Sequence, residues 1–316
     1  MKLTSDAIRL TGFSRLKFFW ALSRTPHALL DMTTPAFAAC LWLGSFPPIS
    51  VILLGLLTVF AGYTAVYALN DVVDFRVDRE RIQQDTFQAK VCTADDLDAA
   101  LTRHPMACGC LSFKQGLTWA ISWGAVAFLG AYLLNPVCAA IFMAGCVLEA
   151  VYCRLFRVSP FRAFINGIVK TLGALAAVFA VDPNPSWVYL ATLFMTIFMW
   201  ELGGQNIPND CSDIEEDQRL KAQTIPVRFG AETAGFAVVA TLTGAVLLTP
   251  VLFSLSQARF GAFYYMTIAV AGVWLLLMPA FRFYRTKAFD HAMALFNRAS
   301  YYPALLFTVV ILRLLS

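Results

Sequence analysis

"TAVYALNDVVDFRVDRER" (residues 64–81) begins as an apolar, membrane-like stretch and turns acidic at Asn70. Asp71, Asp74 and Asp78 follow at i, i+3 and i+7. At about 100° per residue their side chains fall within an arc of about 60° on one helix face. "NIPNDCSDIEEDQRL" (206–220) repeats the arrangement: Asp210, Asp213 and Asp217 have the same spacing, and Asn209 precedes them as Asn70 precedes the first set. Each set closes a long apolar run. The recurrence suggests an internal duplication, although the two halves share little other obvious identity.

Working outward, the chain has 316 residues, 59% of them hydrophobic, and a mean hydropathy of +0.66. That is too apolar for a soluble globular chain. Apolar runs long enough to cross a bilayer core of about 30 Å fall near 28–44, 48–69, 116–134, 137–153, 164–181, 186–205, 233–254, 262–281 and 299–315. Runs of this length exclude a β-barrel. The expectation is an all-α integral membrane protein, one domain over 1–316, with nine transmembrane helices around a central cavity opening at the cytoplasmic side.

Charge sets the orientation. Of the 24 Lys and Arg, this map puts only Arg259 and Arg313 opposite the N-terminus, so the positive-inside rule makes the N-terminus and the connections 70–115 and 206–232 cytoplasmic. The net charge of +4 then reflects topology, and nucleic acid is not an expected partner. The N-terminal stretch lacks a long apolar run with a small-residue cleavage site and reads as a basic, partly amphipathic surface helix. Eight cysteines include no CxxC pair, and the CxC of Cys108 and Cys110 has no companion ligand at zinc spacing.

Six carboxylates converging on one cavity repel one another and are driven to protonate. A hard divalent cation removes that conflict, and Mg²⁺ commonly uses a few carboxylates together with a substrate's phosphates. Bases accompany both sets: Arg76, Arg79 and Arg81 at the first, Arg219 and Lys221 at the second. Alternating acids and bases suit a metal-bridged diphosphate. The plainer reading, two acidic helix ends in water, leaves the pairing unexplained.

At this point the chain resembles a known family, the UbiA superfamily of intramembrane polyprenyltransferases. "NDVVDFRVD" (70–78) is similar to its NDxxDxxxD motif and "DCSDIEED" (210–217) to its DxxDxxxD motif. "SRTPHALLDMTTPAFAACLW" (23–42) resembles its first helix, with Arg24 at the usual basic position. "VYCRLFRVSPFRAFINGIV" (151–169) resembles its tyrosine-containing turn, and "QTIPVRFG" (223–230) its KTLPVxxG. "HPMACGCLS" (104–112) is similar to RPxxSGxIS, with His104 in place of Arg and Cys108 in place of Ser. Asn209, Lys221 and Gln223 depart from the family's Lys, Gly and Lys. Residues 79–103 form an expanded cytoplasmic connection, either a cap over the site, with a short helix at 94–102 capped by Thr93, or a surface insertion.

The resemblance implies transfer of a polyprenyl group from polyprenyl diphosphate to an acceptor, with Mg²⁺ as cofactor. It assigns the metal to Asn70, Asp71, Asp74, Asp78, Asp210, Asp213 and Asp217. The diphosphate contacts expected are Arg24, Arg79, Lys170, Arg219 and Lys221. Lys170, inside an apolar run, is a functional candidate by default, the alternative being snorkelling to the interface. Glu201, Gln205 and Asn206 precede the second set at helical spacing and can line the pocket. Asp31 and Glu149 are candidates for acceptor contacts or satisfied polar residues between helices, and Tyr152 is a pocket or a belt aromatic. Arg154, Arg157 and Arg162 read as anchors. The catalytic base is unassigned. The leading expectation is an aromatic acceptor of quinone biosynthesis, hydroxybenzoate- or naphthoate-like, with the protein in a bacterial inner membrane. Haem, a chlorin or a glycerol phosphate is the alternative acceptor. An ion-coupled transporter is the rival from another class, against which stands the placement of both acid sets at one interface rather than at mid-bilayer.

Overall fold

The computed structural model describes residues 12–83, 102 and 104–316. Most of the expanded connection 79–103, with the short helix expected at 94–102, lies outside the described residues. Among those described, every regular element is a helix: α1 (Gly12–Leu22), α2 (Thr25–Asp31), α3 (Thr33–Leu43), α4 (Ile49–Gln83), α5 (Phe113–Leu134), α6 (Pro136–Arg154), α7 (Arg162–Val181) and α8 (Trp187–Glu201). A π-helical turn (Leu202–Asn206) leads into α9 (Ile207–Ser212) and α10 (Ile214–Arg219). Then come α11 (Ile225–Ser254), α12 (Ala262–Gly272), a second π turn (Val273–Leu277), α13 (Met278–Thr286), α14 (Phe289–Ser300) and α15 (Tyr302–Leu315). Eight of the described helical stretches are long and apolar enough to cross a membrane.

The run expected near 28–44 is two short helices meeting at Met32. Pro35 accounts for the break, since it cannot donate to the Asp31 carbonyl and its ring crowds that group. The apolar run at 48–69 is the first part of α4, which continues to Gln83, so the first acidic motif lies on that helix, as its spacing requires. Likewise α9 and α10 make most of 207–219 helical. The last expected span starts ten residues early, as α14 joined to α15 at Tyr301.

Local chemistry explains the junctions. Asn135 ends α5 and caps α6: its side chain accepts from Val137 N–H at 2.9 Å while its amide donates to the Phe179 carbonyl at 2.9 Å. Pro136 fills the first position of α6, where its missing N–H costs nothing. Ser112 and Gln115 form a capping box at the start of α5. Gly44 ends α3 at φ 61°, and a Cβ there would lie 2.4 Å from the Ala258 backbone nitrogen, so glycine is required on both counts.

The largest buried cluster joins α3, α7 and α8 to α9 and to the helices from α11 to α15. A smaller one, Leu22, Ala68, Met106, Leu111 and Ala120, ties α1, α4 and α5 to the turn that precedes α5. Large apolar side chains also face outward, among them Ile49, Leu53, Trp187, Phe263 and Leu312. With eight candidate spans, that belt makes the protein a multi-pass membrane protein whose outer surface is solvated by lipid.

Candidate active site

Both acidic motifs face one polar cavity of about 270 Å³. α4 contributes Asn70, Asp71, Asp74 and Asp78 on the single face that the spacing demands. Asp210 comes from α9, Asp217 from α10, and Asp213 from the joint between them. The second set therefore does not sit on one helix: Asp213, at φ −113° and ψ 10°, breaks it. The π turn just upstream holds Gln205 and Asn206 against the cavity, in keeping with the frequent placement of such turns at functional sites.

Of the expected diphosphate contacts, Arg24 and Lys170 line the cavity. Arg79, Arg219 and Lys221 do not; all three are exposed. The reason is helical: Arg79 lies one residue, or about 100°, beyond Asp78, and Arg219 lies about 200° beyond Asp217. The cavity cations are instead Arg81, Arg162 and His104. Arg81 reaches Asp78 at 3.6 Å and Glu216 at 3.3 Å, linking α4 to α10. Arg162, read above as an anchor, is buried, with its guanidinium 3.6 Å from Asp210 and stacked between Tyr152 and Phe156 at 4.8 and 4.6 Å. Tyr152 thus stands in the cavity wall and not in an interfacial belt.

The connection between α6 and α7 clasps the second motif from outside. Arg157 donates to the Leu220 carbonyl at 3.0 Å and pairs with Glu80, and the Gln223 N–H donates to the Phe156 carbonyl at 2.8 Å. Deeper in, Asp31 accepts from Lys170 at 2.9 Å and from the Tyr67 hydroxyl at 2.5 Å, with His27 3.6 Å away. Lys170 does not snorkel; it also donates to Tyr67. Asn70 donates to Glu149 at 2.7 Å, Asn166 donates to Asn206, and Asn206 donates to Glu201 at 3.3 Å. Glu149, Glu201, Gln205 and Asn206 all line the cavity, while Asp31 acts through Lys170 and Tyr67.

His104 is the residue the sequence reading passed over. It opens the turn before α5 at φ 48°, with Nδ1 3.0 Å from Asp78 and 3.5 Å from Asp71. Burial opposes its charge, but hydrogen bonds to Asp71 and Asp78 prevail and push its pKa up to about 9. Asp217 is raised to about 7, first by burial and then by repulsion from Asp210 and Asp213. The signal for His104 was its place in "HPMACGCLS", where it replaces a basic family residue.

The donor set fits a hard divalent cation. Asp71, Asp78 and His104 offer ligand atoms within 4.8 Å of one another, and the facing carboxylates add more oxygen donors of the kind such ions take. Beyond Val66, Tyr67 and Lys170, which line both, the polar cavity adjoins an apolar one of about 610 Å³ walled by α3 to α7.

A model of the UbiA prenyltransferase family matches residues 32–301. The chain belongs to that family. It is 26% identical over 264 residues to a digeranylgeranylglyceryl phosphate synthase of Thermococcus sibiricus, covering 82% of this chain and 84% of that protein. It is 26% identical over 236 residues to a synthase of the same name from Methanosarcina barkeri, covering 72% of each. Among solved structures, a UbiA homolog from Archaeoglobus fulgidus bound to DMAPP and Mg²⁺ has the same fold, with a TM-score of 0.67, 17% identity, and coverage of 93% of this chain and 99% of that one. These relatives are archaeal, so the comparisons lend nothing to the bacterial membrane expected above.

Proposed function

We propose that this UbiA-family prenyltransferase moves a polyprenyl group of the geranylgeranyl class from its diphosphate to the free hydroxyl of a prenylated glycerol phosphate, with Mg²⁺ held between the two aspartate sets. The observation that carries this reading is the junction at Val66, Tyr67 and Lys170, where a cavity rich in carboxylates and cations meets a largely apolar one. Two amphiphiles, each an anionic head on a long chain, suit that division better than a small aromatic acid does. The names of the Thermococcus and Methanosarcina relatives favour the same acceptor, so the glycerol phosphate alternative displaces the quinone-type aromatic one.

In this reading Asn70 and the six aspartates bind the metal, which when bound neutralises charge on the departing diphosphate. Arg81 and Arg162 hold the diphosphate oxygens, and Arg24 and Lys170 meet the acceptor's phosphate. Asp31 and Tyr67 hold Lys170 in place through hydrogen bonds. The C–O bond to the diphosphate breaks with its electron pair leaving on oxygen. The acceptor oxygen bonds to the allylic carbon, and the hydroxyl proton departs. Tyr63, Tyr67 and the apolar wall of the chain cavity keep water from the reacting carbon.

The test incubates the purified protein in lipid nanodiscs with geranylgeranyl diphosphate and Mg²⁺. The acceptor is geranylgeranylglyceryl phosphate, 4-hydroxybenzoate or a dihydroxynaphthoate, and products are read by mass spectrometry. An ether product from the glycerol phosphate is expected. A prenylated aromatic acid with no ether product overturns the assignment.

A further inference from the structure

We infer that His104, as the neutral imidazole, is a metal ligand, so that the cation site on the first aspartate set is a mixed nitrogen–oxygen site that accepts Mg²⁺ but binds a first-row transition cation such as Mn²⁺, Fe²⁺, Co²⁺ or Zn²⁺ more tightly. The inference rests on the metal reading proposed above and concerns which ion the site takes. Asp71, Asp78 and His104 offer one oxygen, one oxygen and one nitrogen within 4.8 Å of one another. His104 Nδ1 stands 3.0 Å from Asp78 Oδ2 and 3.5 Å from Asp71 Oδ1. Adjacent ligands of an octahedral ion with bonds of about 2.1 Å lie about 3 Å apart, so the three atoms need little movement to share one cation.

The backbone holds His104 in that position. The turn closes on itself through Cys108 N–H to the His104 carbonyl at 3.0 Å and Cys110 N–H to the Pro105 carbonyl at 2.9 Å. Met106 and Leu111 anchor it in the cluster with Leu22, Ala68 and Ala120. Met106 Sδ packs on the bare face of Gly116, where a Cβ would meet it at 2.1 Å. The imidazole is thus delivered by a turn fixed to α4 and α5, the preorganised setting a ligand needs. Imidazole suits transition cations, whereas Mg²⁺ is matched by carboxylate, carbonyl and water, so exchanging one oxygen donor for nitrogen moves the preference along the Irving–Williams order.

The experiment loads the purified full-length protein in nanodiscs with Mn²⁺ alone and records electron spin-echo modulation. Nitrogen-14 coupling of a directly bound imidazole is expected in the wild type, lost in His104→Gln and kept in His27→Gln. Competition against Mg²⁺ should show the Mn²⁺ preference falling by about 10-fold or more in His104→Asp, since even groups that only support a ligand change affinity on that scale. Labelling every histidine with nitrogen-15 in the unmutated protein tests the coupling without disturbing the turn, and the ¹⁴N signal should vanish. Bound Mn²⁺ with no histidine coupling overturns the inference and leaves the metal reading standing. Failure to bind Mn²⁺ or Mg²⁺ at all overturns both.

Discussion

The two aspartate sets share a spacing and differ in the backbone that carries it. Asp71, Asp74 and Asp78 ride a single helix of 35 residues, packed along its length on α5 and α6. Asp210, Asp213 and Asp217 follow a π turn and straddle a helix break at Asp213. Three carboxylates on an unbroken helix keep fixed separations, because moving one moves all. Carboxylates on either side of a break can shift separately. One jaw of the cavity is rigid, and the opposite jaw adjusts.

The largest effects test that distinction directly. Asp74→Ala and Asp213→Ala should each lower turnover by about 10²-fold or more, the scale for losing one group that stabilises developing charge. Both variants should still elute as folded protein in detergent. Full activity in either would sink the metal assignment. Lengthening the side chain separates the jaws. Asp74→Glu pushes a carboxylate about 1 Å too far from a helix that cannot retreat, a misplacement that can cost about 10²-fold. Asp213→Glu, at the joint, should lose less than about 10-fold. Equal losses would break the comparison.

The next largest effect is on stability and concerns the two arginines. Arg162 is buried and pairs with Asp210 of the second set. Arg81 spans the sets, with side chains 21% and 17% exposed in its pair with Glu216. Removing one partner of a buried pair leaves an uncompensated charge and costs about 3–5 kcal/mol, whereas a partly exposed pair is worth about 1 kcal/mol or less. Thermal unfolding in detergent should therefore show Arg162→Ala far below Arg81→Ala. Arg162→Lys should recover only part of the loss, because an ammonium cannot stack between Tyr152 and Phe156 as a planar guanidinium does. Matching unfolding temperatures for the two alanine variants would contradict the burial argument.

The sequence made the rigid jaw legible and the adjustable one only partly so. Periodicity of 3.6 puts Asp71, Asp74 and Asp78 on one face, and an unbroken helix obeys it. The same arithmetic applied to Asp210, Asp213 and Asp217 brought the right residues to the cavity but missed the break, since Pro208 sits at the start of α9, where a helix tolerates it, and does not mark the joint at Asp213. The π turn was equally silent: "LGGQN" carries no signal that separates a wide turn from an α-helical one. Arg79, Arg219 and Lys221 were chosen as cations adjacent in sequence; on a helix Arg79 and Arg219 then face away, and Lys221 lies beyond the end of α10 at φ 58°. Arg162 and His104 reach the cavity from other segments; His104 had a signal in the motif it occupies, whereas only tertiary packing reveals Arg162. The acceptor was least legible, because in the proposed reading both motifs serve the diphosphate end and the apolar cavity is lined by an unpatterned set of residues.

The smallest expected effects give the two jaws opposite responses to pH. His104 faces the first set, and its folded pKa of about 9 lies above the ordinary histidine value of 6.5. Its charge therefore stabilises the folded protein fully below pH 6.5, and that stability is lost as pH rises through 9. Asp217 belongs to the second set and is raised from 3.8 to about 7 by burial and by Asp210 and Asp213. A carboxyl raised on folding works the other way: the folded state is penalised as pH climbs from about 4 to about 7, and the full penalty persists above. In chelator, Asp217→Asn should raise the unfolding temperature at pH 8 by on the order of 2 °C, with the gain vanishing near pH 4. His104→Gln should lower it at pH 6, with the loss vanishing above pH 9. A divalent cation at pH 8 should erase the advantage of Asp217→Asn, since the ion supplies the charge that the second jaw lacks. If that advantage survives saturating cation, Asp217 is not among the residues that hold the ion.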